Sequence, residues 1–172
     1  MPAKLVMDVE EYMRTAFDGP DCEYLDGEVV ERNMGELPHA GVQPHLGHLL
    51  KELRPRLGIF AVSEIRIPIT PHRYRVADLA VWLSDNIGDR LPTVPPFLAI
   101  EILSPEDRMV RMQAKIQEYL SIGVQWIWVI DPVEKQAICY SQRNPAGVVT
   151  DVLRTENPGI EIPLETALDF RS

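Results

Sequence analysis

The sequence predicts an α/β fold in a single domain that spans residues 1–172. The length is that of one domain of ordinary size. Apolar segments at 97–103 and 125–130 are typical of strands, and one amphipathic helix lies between them. Such a β-α-β unit pairs its two strands in parallel through a right-handed crossover. Alternating segments at 136–141 and 148–153 predict an antiparallel extension, so we expect a mixed sheet.

The N-terminal segment predicts a short helix followed by a β-hairpin. Asp8 precedes apolar residues at helical spacing, with Glu11 three residues on as in a capping box, and Gly19-Pro20 ends this helix. Two short strands follow within 23–30. They meet at Asp26-Gly27, a dipeptide that tolerates the positive φ values of a tight turn.

A second helix and two strands come next. Apolar residues recur at helical spacing from Val42 to Leu57, with Pro44 in the first turn and Pro55 at a point where it ends or kinks the helix. The segment 59–69 is rich in β-branched residues. The segment 75–83 is almost continuously apolar, which is typical of a strand that is buried on both faces.

The third helix belongs to the β-α-β unit. A proline-rich loop over 85–96 leads into the strand at 97–103, and Ser104-Pro105 then stands in the usual order of a cap and a first-turn proline. Gly123 ends the helix. The apolar stripe of the helix consists of Met109, Met112, Ile116, Tyr119 and Leu120.

The net charge of −9 at pH 7 disfavours a polyanionic partner, because nucleic-acid binding depends on Lys and Arg at phosphates. The acidic residues are concentrated at the two ends, however, with −7 over 1–37 and −3 over 131–172. The stretch from Lys51 to Arg75 is locally basic, and we expect it to approach a phosphate backbone.

Two cysteines, Cys22 and Cys139, are too few for a disulfide framework and are expected to be free thiols. The sequence has no basic and apolar leader and no long apolar run. We therefore expect a cytoplasmic protein without a membrane segment.

Two carboxylates interrupt apolar strands, Asp78 in one and Glu101 in the next. A buried carboxylate must be hydrogen-bonded, paired or bound to a metal. If the strands are neighbours, both side chains can reach one ion, and two oxygen ligands with waters and a phosphate oxygen are typical of Mg²⁺. The alternative is that each carboxylate forms a salt bridge, for instance with Arg75 or Arg66.

Lys115 lies on the flank of the third helix's apolar stripe, ~40° from Tyr119 and ~60° from Met112 on the helical wheel. Its stem can follow apolar surface while the ammonium reaches a polar pocket. There it would steady an attacking water or the charge of a transition state. The alternative is a lysine that extends into solvent.

The order of these motifs resembles the Uma-two family of restriction-endonuclease-like proteins, a bacterial branch of the PD-(D/E)XK nuclease superfamily. The likeness covers about residues 8–140. The matching segments are EYLDGE at 23–28, the helix that begins near His39, RVADLAV at 75–81, LAIEILSP at 98–105, and 115–132 with Tyr119, Gly123 and Trp128.

The resemblance implies a restriction-endonuclease-like core, in which a central mixed β-sheet is flanked by helices. It places the catalytic, metal-binding acids of the superfamily on Asp78 and Glu101. Leu103 stands where the usual E-x-K triplet has its lysine, and the family's helix lysine falls on Lys115. Glu23 and His39 match further polar positions that would line the same site.

Two positions depart from the family pattern. Ala77 replaces the proline before the aspartate, which affects only strand geometry, and Arg111 replaces an acidic residue one turn before the helix lysine. The second change removes or reverses a polar contact of the family pattern.

The expected function is hydrolysis of DNA phosphodiester bonds by a Mg²⁺-dependent, or Mn²⁺-dependent, endonuclease, with backbone-directed DNA contacts. Cutting both strands of a duplex would require two sites, so a homodimer is expected by analogy with restriction enzymes. One alternative is an inactive interaction or DNA-binding module with the nuclease fold. Another is metal-free hydrolysis by paired carboxylates as in glycosidases, for which the sequence offers no aromatic platform.

Overall fold

A mixed sheet lies at the centre of the computed structural model, which describes residues 5–33 and 35–172. Nine strands form it within those residues, in the order β1-β3-β2-β5-β6-β7-β8-β9 with β4 paired to β5. Its strands are β1 (Leu5–Val6), β2 (Glu23–Leu25), β3 (Glu28–Val30), β4 (Phe60–Thr70), β5 (Arg73–Trp82), β6 (Leu98–Ile102), β7 (Trp126–Asp131), β8 (Gln136–Ser141) and β9 (Gly147–Val149).

Only the β6/β7 pair of this sheet is parallel in the described chain, as the β-α-β unit predicts, and the other pairs are antiparallel. A separate antiparallel pair and four helices complete the described structure: β10 (Val152–Arg154), β11 (Glu161–Pro163), α1 (Val9–Arg14), α2 (Leu37–Leu57), α3 (Met109–Ser121) and α4 (Leu164–Leu168). The α/β fold with a mixed central sheet flanked by helices is therefore confirmed. No helix among the described residues is long and apolar enough to cross a bilayer.

The sheet is covered on both faces. Leu79 and Val81 of β5 pack in the same core cluster as Leu46 of α2, whereas Ala80 packs with Ile116 of α3 on the other side. Alternate residues of one strand thus enter two different cores, which is the reason for its nearly continuous apolar sequence. This sandwich fixes α3 above the middle strands.

The helix α2 begins at Leu37, earlier than the predicted start at Val42, and it runs through Pro44 and Pro55. The additional first turn lacks apolar periodicity and is exposed or half-buried, and the Phe170 ring packs where a side chain at Gly41 would stand. A proline inside a helix costs one backbone hydrogen bond. The packing of Val42, Leu46 and Leu50 in the core stabilises the helix despite that loss.

Two other predicted boundaries were wrong. The third helix starts at Met109, because Ser104 and Asp107 close a separate turn in which the Ser104 N–H donates to the Asp107 carboxylate at 2.6 Å. The predicted strand at 148–153 is divided between β9, which extends the large sheet, and β10, which pairs with β11.

The side chain of Arg66 fastens α1 to the sheet. Its Nε and terminal nitrogen lie 2.6 Å from the two Asp21 oxygens, another nitrogen donates to the Tyr12 carbonyl at 3.0 Å, and the guanidinium lies over the Tyr12 ring. Arg66→Ala is expected to lower the free energy of unfolding by ~2–3 kcal/mol, measured by urea denaturation, because several charge-assisted hydrogen bonds are lost.

The matched control is Arg154→Ala, because Arg154 makes an exposed ion pair with Glu161. Its effect should stay below ~1 kcal/mol. Equal urea midpoints for the two variants would contradict the structural role of Arg66.

Candidate active site

A polar cleft of about 1000 Å³ opens where the hairpin, the start of α2 and the start of α3 meet the middle strands. All five residues that the sequence analysis singled out line this cleft: Glu23, His39, Asp78, Glu101 and Lys115. They come from β2, α2, β5, β6 and α3 respectively. The fold thus gathers residues that are far apart in sequence.

Asp78 and Glu101 lie on neighbouring antiparallel strands. Leu79 is paired with Ile100, and one further step in this register brings Asp78 opposite Glu101. Both residues are only 2% exposed. An Asp78 oxygen also accepts a hydrogen bond of 2.7 Å from the Ile102 N–H, just beyond Glu101. The expectation that the two strands are neighbours is therefore confirmed.

Asp78 is held ionised by cationic neighbours. The Arg32 guanidinium donates to one oxygen, and His39 Nε2 lies 3.3 Å from the other. Burial would raise the pKa of Asp78, but the hydrogen bond from His39 and the charge of Arg32 outweigh it and lower that pKa. In turn, burial would lower the pKa of His39, and its bond to Asp78 raises it.

Glu101 has a different environment. Lys115 Nζ donates to one oxygen and the Tyr119 hydroxyl donates to the other, each at 2.8 Å. Complete burial raises the pKa of Glu101 to about 7. The positive charge of Lys115 lowers this pKa, and the negative charge of Asp78 raises it. The two acids therefore differ in their affinity for a proton.

Lys115 is a buried ammonium with three oxygen partners. Nζ lies 2.7 Å from the Val76 carbonyl, 2.8 Å from Glu101 and 2.9 Å from Glu23. Burial would lower the pKa of Lys115, but the two carboxylates outweigh it and raise that pKa. The lysine thus remains charged and points into the cleft rather than into solvent.

Glu23 connects Lys115 to a second cation. Arg75 donates to Glu23 at 2.7 Å and to Glu118 at 2.5 Å, so a chain of alternating charges runs along the floor of the cleft. Burial would raise the pKa of Glu23, and Lys115 and Arg75 together lower it. This arrangement fixes the position of the ammonium.

The salt-bridge partners suggested for Asp78 and Glu101 were wrong. Arg66 binds Asp21 and Arg75 binds Glu23 and Glu118, whereas Arg32 binds Asp78. Sequence reasoning missed Arg32, which follows the hairpin in a segment without periodicity. It also counted Tyr119 only as a core residue, although its spacing of four from Lys115 puts both on one helix face.

Most arginines of the basic stretch from Lys51 to Arg75, which was expected to approach a phosphate backbone, are paired with carboxylates. Arg54 pairs with Asp85, and Arg66, Arg73 and Arg75 are likewise bound to carboxylates. Of this stretch only Arg75 lines the cleft. Its excess charge is therefore largely neutralised within the fold.

The cleft contains a pair of carboxylates, Asp78 and Glu101, of the kind that could hold a divalent cation. No group of three or more His, Cys, Asp or Glu side chains within 5–33 and 35–172 is arranged to hold a metal ion. Mg²⁺, however, is commonly held by one or two carboxylates together with waters and substrate phosphates. Asp78 and Glu101 would supply such a donor set at this cleft, where the ion would have to displace Arg32 from Asp78 and compete with Lys115 and Tyr119, which donate to the two Glu101 oxygens.

Comparisons with known proteins give a family and one solved structure of similar fold. The crystal structure of a "putative nuclease belonging to DUF820" from Anabaena variabilis ATCC 29413 superposes with a TM-score of 0.82 at 19% sequence identity, over 95% of this chain and 98% of that one. The curated proteins give no match. Residues 9–170 match the model of the Uma2 family, whose description is "Putative restriction endonuclease". The chain therefore belongs to the Uma2 family and shares the fold of that crystal structure.

Proposed function

We propose that this protein is a Mg²⁺-dependent endonuclease that hydrolyses DNA phosphodiester bonds, with Mn²⁺ as an alternative ion. The observation that carries the proposal is the placement of Asp78 opposite Glu101, with Lys115 Nζ 2.8 Å from Glu101, in one open cleft. Membership of a family described as restriction endonucleases supports the same reaction class.

Asp78 and Glu101 would hold the ion. When bound, such a metal lowers the pKa of a coordinated water and polarises the phosphate. The Lys115 ammonium would exchange one of its three present oxygen partners for the attacking water or a phosphate oxygen, where negative charge develops. Tyr119 keeps Glu101 in place, and Glu23 keeps the ammonium directed at the cleft.

A second candidate function is a nuclease-fold module that binds DNA or a protein without cleaving. The ion pair between Arg32 and Asp78 favours it, because that pair satisfies one acid without a metal. For either function we expect a cytoplasmic protein, which agrees with two free cysteines. A homodimer remains a proposal, to be tested by sedimentation.

Plasmid cleavage tests the proposal. The wild type should nick supercoiled DNA with Mg²⁺ or Mn²⁺ and stop when EDTA is added. Asp78→Asn should lose the activity, since it removes a ligand charge, whereas the exposed carboxylate variant Asp85→Asn should keep it. EDTA-resistant cleavage, or an active Asp78→Asn, contradicts the metal mechanism. Oligonucleotide binding without any cleavage by the wild type favours the second candidate.

A further inference from the structure

Two arginines at the beginning of α3 line the cleft without a carboxylate partner. Arg108 directly precedes the helix, Arg111 lies in its first turn, and both are exposed. Neither side chain makes an ion pair or a hydrogen bond with any residue in the described ranges 5–33 and 35–172. Their full charge is available to a ligand.

The other cations of the cleft are already engaged. Arg32 binds Asp78 and Glu64, Arg75 binds Glu23 and Glu118, and Lys115 binds Glu23 and Glu101. The cleft lining contains seven carboxylates against five Lys and Arg side chains. Attraction of a polyanion to this cleft therefore depends strongly on the two arginines that no internal carboxylate neutralises.

Arg108, Arg111 and Lys115 also follow one another from the start of α3 into the cleft. Arg111 stands four residues before Lys115, which is ~6 Å along a helix axis, and Arg108 stands ~4.5 Å further out. Arg111 and Lys115 are ~40° apart around the axis, so they face the same side, and Arg108 lines the same cleft. The row leads from the exposed rim of the cleft to the buried ammonium beside Glu101.

We propose that Arg108 and Arg111 bind the backbone phosphates that neighbour the phosphate at Lys115. The proposal rests on the proposed function and names the part of the site that holds the nucleic acid. A guanidinium binds a phosphate through two parallel N–H donors, and such contacts carry no sequence information. The start of α3, rather than the stretch from Lys51 to Arg75, thus contacts the substrate backbone.

The test compares two double variants that each remove two positive charges. Arg108→Ala/Arg111→Ala removes the proposed contacts, and Lys51→Ala/Arg56→Ala removes two exposed cations of α2 outside the cleft. Fluorescence anisotropy with a short labelled DNA duplex in EDTA gives the association constant over a salt series. Plasmid cleavage with Mg²⁺ gives KM and kcat for the same proteins.

For the α3 variant we expect the slope of log K against log salt to decrease in magnitude by ~2, since each phosphate contact contributes ~0.9. Its KM should rise by about tenfold or more, while kcat stays within about threefold, because the contacts lie beside the reacting phosphate. The α2 variant should keep the wild-type slope and KM.

Each contrary outcome has a distinct meaning. If the wild type cleaves but the α3 variant keeps its slope and KM, the inference is overturned and the proposed function stands. Equal losses in the two variants also overturn it, because they show a general charge effect. If the wild type neither binds nor cleaves DNA, the proposed function fails and the inference fails with it.

Discussion

Lys115→Met is expected to slow DNA cleavage by a factor on the order of 10²–10³, the usual effect of removing one donor that stabilises transition-state charge. The ammonium lies among Glu101, Glu23 and the Val76 carbonyl. Without it, the pKa of Glu101 should rise further above its usual range, and the site also loses its donor to the phosphate. Single-turnover cleavage with Mg²⁺ measures the rate.

The control for this variant is Lys51→Met, which places the same side chain on an exposed position of α2. It should cleave at the wild-type rate. Thermal melts establish that both variants are folded at the assay temperature. A folded Lys115→Met that cleaves within about threefold of the wild type would remove Lys115 from the mechanism.

Arg32→Ala is expected to lower the free energy of unfolding by on the order of 3–5 kcal/mol without metal, because it leaves a buried carboxylate without its main cation. The side chains are 13% exposed for Arg32 and 3% for Asp78. His39 and the Ile102 N–H remain as partners, so the fold should persist. Chemical denaturation in EDTA measures the loss.

Mg²⁺ should raise the free energy of unfolding of both proteins, because an ion that binds only the folded state stabilises it. The increase should be larger for Arg32→Ala than for the wild type. Arg54→Ala is the control, since its pair with Asp85 is exposed, and its effect should stay within ~1 kcal/mol. An unfolding free energy for Arg32→Ala equal to that of Arg54→Ala would contradict the proposed role of this ion pair.

The elements that could be predicted from sequence are those in which the local sequence signal and the tertiary packing favour the same conformation. Asp8 caps α1 as expected, and Asp26 and Gly27 both adopt positive φ in the hairpin. The starts of α2 and α3 were predicted incorrectly for different reasons. Phe170 packs against Gly41 in a turn that has no apolar pattern of its own, and Asp107 closes a turn that competes with the helix cap.

The candidate site was predictable where a charge interrupts an apolar pattern. Asp78, Glu101 and Lys115 each stand among core residues, so their burial demanded partners. Arg32 gave no such signal, because it lies in an irregular segment and reaches Asp78 only through the tertiary fold. The ion pairs of the 51–75 stretch could not be predicted for the same reason, since its carboxylate partners are remote in sequence.

The distribution of the site over the chain has a consequence during protein synthesis. Glu23 reaches Lys115 only after the hairpin has paired with β5 and α3 has packed on the sheet, and Tyr119 lies later still. A ribosome extends the chain at ~5–20 residues per second, so the early segments wait for their partners to emerge. Any nascent chain or fragment that ends before Tyr119 lacks the complete cluster. Under the proposed function, incompletely made copies of this protein are therefore expected not to cleave DNA.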